Sequence, residues 1–161
     1  MKKVAWVAGI VLVLLIAVRV AIGFGASPSD QAQIQKALQD SIQASKEGKP
    51  GGVMDLLSSQ IKFNQQDAGG NMGSVAQFIK NQRPDVEVTN QQAIVTGDTA
   101  QITSPVNLKL DFLGQQRTVH LKNVVLIFKR EATTHWLILP SKTWKLAEID
   151  APDAGEADFL Q

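Results

Sequence analysis

Two histidines, no cysteine and no tyrosine limit the chemistry that this sequence could perform. Without cysteine there is no thiolate nucleophile, no disulfide bond and no zinc–thiolate site. His120 and His135 have no serine or carboxylate partner at a spacing that predicts a nucleophile–base pair. Two histidines do not form a metal site without further ligands. We therefore predict no catalytic residue, no bound metal and no cofactor.

Phosphate binding and nucleic-acid binding are also disfavoured. The run Gly69-Gly70-Asn71-Met72-Gly73 lacks the spacing of a phosphate-binding loop. The chain has 16 basic and 15 acidic residues, but Lys2, Lys3 and Arg19 lie in an apolar N-terminal segment. The remainder is mildly acidic, whereas a general nucleic-acid binder presents a basic face.

The second half of the sequence predicts a set of long antiparallel strands, because its apolar residues alternate with polar ones. A tight turn at Leu113-Gly114 would place Val106 opposite Leu121. A further turn at Ala132-Thr133 would place Trp144 opposite Leu121 on the next strand. We use this register to assign side chains to the two faces of the sheet.

The inner face then carries a polar row inside an otherwise apolar surface, which is typical of a ligand pocket. We predict that the pocket is lined by Ser104, Asn123, Lys142 and Trp144. Lys142 would favour an anionic or carbonyl-bearing ligand. Two alternatives remain open: Pro140 could impose a turn that leaves Lys142 in solvent, and Trp144 could be a core residue.

The outer face combines polar and apolar residues. The register places His120 there beside Asn107. It also places a group of apolar side chains on this face, and these predict a homodimer contact or a protein partner: Val124, Leu126, Phe128, Leu137 and Leu139. The alternative is that curvature of the sheet buries them within one chain.

Three helices are predicted before these strands. The first starts in Ser27-Pro28-Ser29-Asp30, where a serine cap, a proline at the first helical position and an acid in the first turn favour a helix N-terminus, and it ends before Gly48. Val53 to Leu57 indicates a short second helix and Ile61 to Phe63 a short strand. The third helix begins at Ser74 and ends before Pro84.

The N-terminal segment predicts a membrane anchor at residues 4–26, interrupted by Arg19, which can reach the headgroups near the outer end of the span. Lys2 and Lys3 favour a cytoplasmic N-terminus at residues 1–3. The domain at 27–150 would then lie outside the cytoplasm, followed by an acidic flexible tail at 151–161. The alternative is a cleaved signal peptide, which would leave the domain secreted or periplasmic.

The order of these elements resembles the nuclear-transport-factor-2-like (NTF2-like) superfamily, also called SnoaL-like or cystatin-like. The resemblance rests on SPSDQAQIQKALQDSIQASKEGK, VMDLLSSQIKF, SVAQFIKNQRP and the strand pair NVVLIFKRE and HWLIL, and covers about Ser27 to Asp150. It implies an α+β fold in which about three helices pack on a curved antiparallel sheet, leaving a cone that can hold a pocket. Ketosteroid-isomerase relatives use an acid with a tyrosine, which this chain lacks.

The first hypothesis is therefore a membrane-anchored, non-enzymatic module that binds a small apolar or anionic ligand or a protein. The second is a small-molecule isomerase or hydrolase that uses the cone pocket. The third is a scaffold of an envelope complex, since one anchor plus one such domain is also the plan of a periplasmic subunit of type IV secretion systems. No nucleic-acid partner is expected.

Overall fold

The computed structural model describes residues 29–112, 115–133 and 141–154. The predicted anchor at 4–26 lies outside these ranges, as do the turn at Leu113-Gly114, His135 and the end of the acidic tail. Leu137 and Leu139 of the predicted interface also lie outside them. Within the described ranges, no helix is both long and apolar enough to cross a membrane.

Helix α1 (Asp30–Lys46) is the long helix that the sequence predicts. The Oγ of Ser29 accepts a hydrogen bond from the backbone N–H of Ala32 at 3.2 Å, so a serine does cap the helix, but it is Ser29 and not the Ser27 that a proline at the first helical position predicts. Gly48 follows the helix with φ of 70°, a conformation that favours glycine. The helix buries a stripe that includes Ile34 and Leu38.

Two shorter helices follow. Helix α2 spans Pro50–Met54 and helix α3 spans Met72–Gln82, preceded by a single turn of 3-10 helix at Gly69–Asn71. Helix α3 ends at Arg83, which has φ of 45° and donates its backbone N–H to the carbonyl of Ile79. The next residue is proline, which explains why the helix stops there.

Among the described residues, seven strands form one sheet in the order β2-β1-β7-β6-β5-β3, with β4 also paired to β5. Their bounds are β1 Leu57–Phe63, β2 Gln66–Asp67, β3 Asp85–Val88, β4 Ile94–Thr96, β5 Thr99–Phe112, β6 Gln115–Thr133 and β7 Ser141–Asp150. Strand β1 pairs with β7 in parallel, whereas the other pairs are antiparallel. The α+β prediction is therefore confirmed, and the purely antiparallel sheet is corrected to a mixed one.

The core fills the space between α1 and the sheet. Ile34 of α1, Ile102 of β5 and Phe128 of β6 each have 0% relative exposure. Leu38 and Trp144 join the same cluster. Close packing of large apolar side chains at this point stabilises the domain, and it occupies the space where the sequence predicted a pocket.

The register of β5 against β6 is confirmed over one half and wrong over the other. Val106 pairs with Leu121 and Asn107 with His120, as predicted. Between Val106 and Ser104 the register shifts, so that Ser104 pairs with Val124 and not with Asn123. Two residues of β6 oppose Pro105 at this bulge, and proline has no N–H to donate to a regular ladder.

This bulge moves the predicted interface residues to the other face. Because side chains alternate along a strand, one extra residue exchanges inside and outside for everything beyond it. Val124, Leu126 and Phe128 are therefore buried in the core and do not face outward. That part of the interface prediction is wrong, so these residues supply no reason for a dimer. Dimer formation itself stays a prediction.

Strand β7 is also displaced from its predicted register. Trp144 pairs with Arg130 and Lys142 with Ala132, so neither lies opposite the residues around Leu121. The cause is that β6 continues through Thr133, where the sequence analysis placed a turn.

Candidate functional site

The predicted polar row is not assembled. Ser104 is buried, and its hydroxyl accepts from the N–H of Asn90 at 2.8 Å and donates to the carbonyl of Pro105 at 2.7 Å. These bonds hold the chain beside the bulge. Asn123 lies in the bulge itself and is exposed. Ser104 and Asn123 are thus separated by the register shift that the proline induces.

Lys142 and Trp144 belong to a different cluster, at the start of α1. Lys142 is more than half exposed and its Nζ donates to Asp98 at 3.0 Å. The indole Nε1 of Trp144 donates to Asp30 at 3.3 Å. Arg130 pairs with Asp30 and lies 4.8 Å over the Trp144 ring. This network fixes the first turn of α1 against β6 and β7, a structural task.

An open groove runs along the edge strand β3, between β3 and α1. Its first cleft has a volume of about 390 Å³. The floor is apolar, formed by Ile42, Val86 and Val88, and the rim is polar, formed by Gln39, Gln43, Asp85, Glu87, Gln91 and Lys109. The side-chain amide of Gln39 donates to that of Gln91 at 3.2 Å and so joins the two walls.

A second cleft of about 370 Å³ continues from the first, and the two share Asp85 and Lys109. It is lined by Lys46, Asn81, Gln82, Arg83, Asp85, Lys109, Leu110, Asp111 and Gln116. We call the two clefts together the rim groove. The β3–β5 pairing sets Asp85 directly opposite Lys109, and Lys46 of α1 reaches Asp85 at 3.0 Å.

Sequence reasoning missed the rim groove. Its residues come from α1, α3, β3, β5 and β6, and their proximity depends on how β3 pairs with β5. The available signal was the alternation of β5, which sets Lys109 between Leu108 and Leu110. The pairing partner of β3 could not be read from that pattern.

A third, smaller cleft of about 260 Å³ lies between α1, α2 and β7. It brings the carboxylates of Asp40 and Asp55 near Leu56 and Trp144. Asp40 is well exposed and pairs with Lys36 on the next turn of α1. Asp40 is therefore engaged in a surface ion pair.

The outer face carries a chain of hydrogen bonds across three strands. Nδ1 of His120 lies 2.8 Å from Oδ1 of Asn107, as the predicted register requires. Asn107 in turn donates from Nδ2 to Glu87 at 3.5 Å. No nucleophile joins this chain among the described residues, and no group of three or more histidine or acidic side chains there is arranged to hold a metal.

The carboxyl of Glu47, near the end of α1, has a lowered pKa. Hydrogen bonds from Lys49 and Gln43, and the charge of Lys49, lower the pKa of the Glu47 carboxyl below its ordinary value. The Glu47 side chain is 38% exposed and does not line the rim groove. It is therefore a surface feature of the α1 C-terminus.

Comparison with solved structures identifies the architecture. A conserved protein from Planctomyces limnophilus matches with a TM-score of 0.60 and 12% identity, covering 77% of this chain and 95% of that one. An NTF2-like protein of unknown function in nutrient uptake from Rhodospirillum rubrum matches with a TM-score of 0.54 and 14% identity, covering 73% and 94%. A ketosteroid isomerase-like protein from Erwinia carotovora atroseptica gives 0.51 and 10%, covering 77% and 95%.

No protein-family model and no curated protein sequence matches the chain. The structural likeness is at low sequence identity, so it establishes the fold and not the chemistry. It agrees with the order of helices and strands and with helices packed on one face of a curved sheet. The described domain has the NTF2-like cone fold.

Proposed function

We propose that this chain is a non-catalytic binding module, anchored in a membrane by residues 4–26, whose domain lies outside the cytoplasm and holds a small ligand in the rim groove. The observation that carries the proposal is the pair of adjoining clefts that share Asp85 and Lys109. The lining is mostly polar, with an apolar patch of Ile42, Val86 and Val88, and convergent polar groups of this kind can orient a small ligand.

The filled core supports this location. Ile34, Ile102 and Phe128 occupy the space beneath the sheet, so a ligand there would have to displace fully buried side chains. The rim groove requires no such displacement. Its composition also favours a polar ligand over the apolar one that the sequence analysis allowed.

The proposed anchor determines how far the rim groove lies from the membrane. Helix α1 starts four residues after the predicted anchor and ends at Lys46, which lines the groove. At about 1.5 Å per residue, 17 helical residues separate the two ends by roughly 25 Å. The second cleft would thus be at the end of α1 that is farther from the membrane, facing the aqueous phase.

Native mass spectrometry of the full chain, released from detergent micelles, tests the proposal. We expect a bound mass in the small-molecule range that disappears on denaturation and falls when the groove is altered by Lys109→Gln. A matched control is Lys122→Gln, which removes the same charge from the β6 bulge outside the groove. A clean chain with no bound mass, even after incubation with host extract, would contradict the proposal.

An isomerase or hydrolase is the second candidate, and the third cleft is the observation that favours it. There two carboxylates, Asp40 and Asp55, stand beside the apolar surface of Leu56 and Trp144. Turnover that is lost in Asp55→Asn and kept in Lys109→Gln would support the enzyme. Ligand binding that is lost in Lys109→Gln and kept in Asp55→Asn would support the binding module.

A further inference from the structure

The second cleft contains two cations that are not paired. Lys46 is engaged with Asp85, but Arg83 and Lys109 form no ion pair with any residue in the described part of the chain. Three cations and two carboxylates line this cleft. Lys46 and Asp85 offset each other, so Arg83 and Lys109 together with Asp111 leave the cleft with a net positive charge for a ligand to meet.

The backbone at Arg83 gives its side chain a defined position. Arg83 caps α3 with φ of 45° and ψ of 55°, the left-handed conformation that glycine or asparagine adopts more readily. Its stem lies against Gly48, where an added Cβ would come within 3.0 Å of Cγ and 3.1 Å of Nε. Arg83 thus occupies a backbone conformation that glycine adopts more readily. Its side chain packs against Gly48, where any larger residue would collide with it.

The donors around this position suit an oxyanion. A guanidinium presents a planar fork of N–H donors that matches a carboxylate or a phosphate, and an ammonium adds a second charge. The side-chain amides of Asn81, Gln82 and Gln116 line the same cleft and can donate to further oxygens.

The first cleft defines the rest of the ligand. Its glutamine-lined walls and its floor of Ile42, Val86 and Val88 suit an uncharged polar body. Glu87 at this end would repel a second anion. The two ends of the rim groove therefore differ in the charge that they accept, and this difference would orient a ligand.

We infer that the Arg83–Lys109 end of the rim groove binds the carboxylate or phosphate of a small molecule whose uncharged polar body lies along the first cleft. The inference rests on the proposed binding function and names the ligand class of that site. Arg83 and Lys109 contact the oxyanion, while Lys46 holds Asp85 away from it.

The test is a calorimetric titration of the full chain in detergent micelles with inorganic phosphate and, separately, with citrate. We expect saturable binding of at least one anion, weakened about ten-fold by Arg83→Gly and about ten-fold by Lys109→Gln. Lys122→Gln is the matched control and should change affinity less than two-fold or so. Glycine suits the left-handed conformation at position 83, so Arg83→Gly should fold.

The two anions distinguish the sources of the oxyanion: a preference for citrate assigns a carboxylate ligand, and a preference for phosphate assigns a phosphorylated one. If neither anion binds saturably, or if Lys122→Gln weakens binding as much as the groove variants, the inference is overturned. Should the full chain still carry a bound small molecule that survives Arg83→Gly and Lys109→Gln together, the inference fails while the binding module stands.

Discussion

The underside of the sheet and the rim groove both border α1, yet they are built from opposite kinds of residue. The underside is closed by Ile34, Ile102 and Phe128, with no exposed surface. The rim groove has an open floor, charged walls and a strained arginine. The comparison describes a cone with a packed interior and an open edge, and the open edge is where we propose that a ligand binds.

The largest effect should follow from opening the filled region. Phe128→Ala removes a fully buried ring from the core and should lower the free energy of unfolding by about 3–5 kcal/mol. Urea unfolding of the full chain in micelles measures it. Phe78→Ala, at a ring that is 44% exposed, is the control and should cost far less. Similar losses at both positions would contradict a closed core beneath the sheet.

Gly48→Ala tests the contact between the groove and the end of α1. We expect a loss of about 1–2 kcal/mol, since alanine is strained at φ of 70°, together with weaker anion binding, since the new Cβ would push Arg83. Gly97→Ala is a matched control, because Gly97 has φ of 60° but open space around it. Equal effects of the two variants on binding would show that Arg83 does not depend on the notch at Gly48.

Ser104→Ala tests whether Ser104 supports the backbone beside the bulge, as the structure shows, or lines a ligand pocket, as the sequence predicted. The change removes the acceptor for the Asn90 N–H and should cost about 1 kcal/mol, measured by urea unfolding, while ligand binding is unchanged. Thr103→Ala, at the exposed neighbour, should fall within about 0.5 kcal/mol of wild type. Lost binding with unaltered stability in Ser104→Ala would restore this residue to a ligand pocket.

The smallest effect concerns pH. The pKa of Glu47 is lowered in the folded state by the hydrogen bonds from Lys49 and Gln43, so its stabilising contribution is present above the carboxyl's unfolded pKa. That contribution is lost as pH falls through the lower, folded pKa. NMR titration of the Glu47 side chain should show the depressed midpoint, and Lys49→Gln should return it towards the ordinary value. An unshifted midpoint in the wild-type protein would contradict the hydrogen bonds from Lys49 and Gln43 to Glu47.

Local patterns in the sequence predicted the fold well. Helix α1 begins within the predicted start at Ser27-Pro28-Ser29-Asp30 and ends before Gly48, as the sequence indicates. The pairing of Asn107 with His120 was also correct. Each of these depends on residues that are close in sequence or on an uninterrupted alternation.

The candidate site could not be predicted in the same way. A single bulge opposite Pro105 exchanged the faces of β6, and an unexpectedly long β6 displaced β7. Both errors moved the predicted pocket residues apart and turned an apparent interface into core. The rim groove depends on the distant pairing of β3 with β5, for which no local pattern exists.

The most direct test of the account is methyl NMR of the full chain, labelled at isoleucine and valine, during titration with citrate and with phosphate. Ile42, Val86 and Val88 report on the rim groove, and Ile34, Ile102 and Val124 on the filled core. The account predicts that ligand shifts the first set and leaves the second unchanged. Shifts confined to the core set would place the ligand inside the cone and contradict the account.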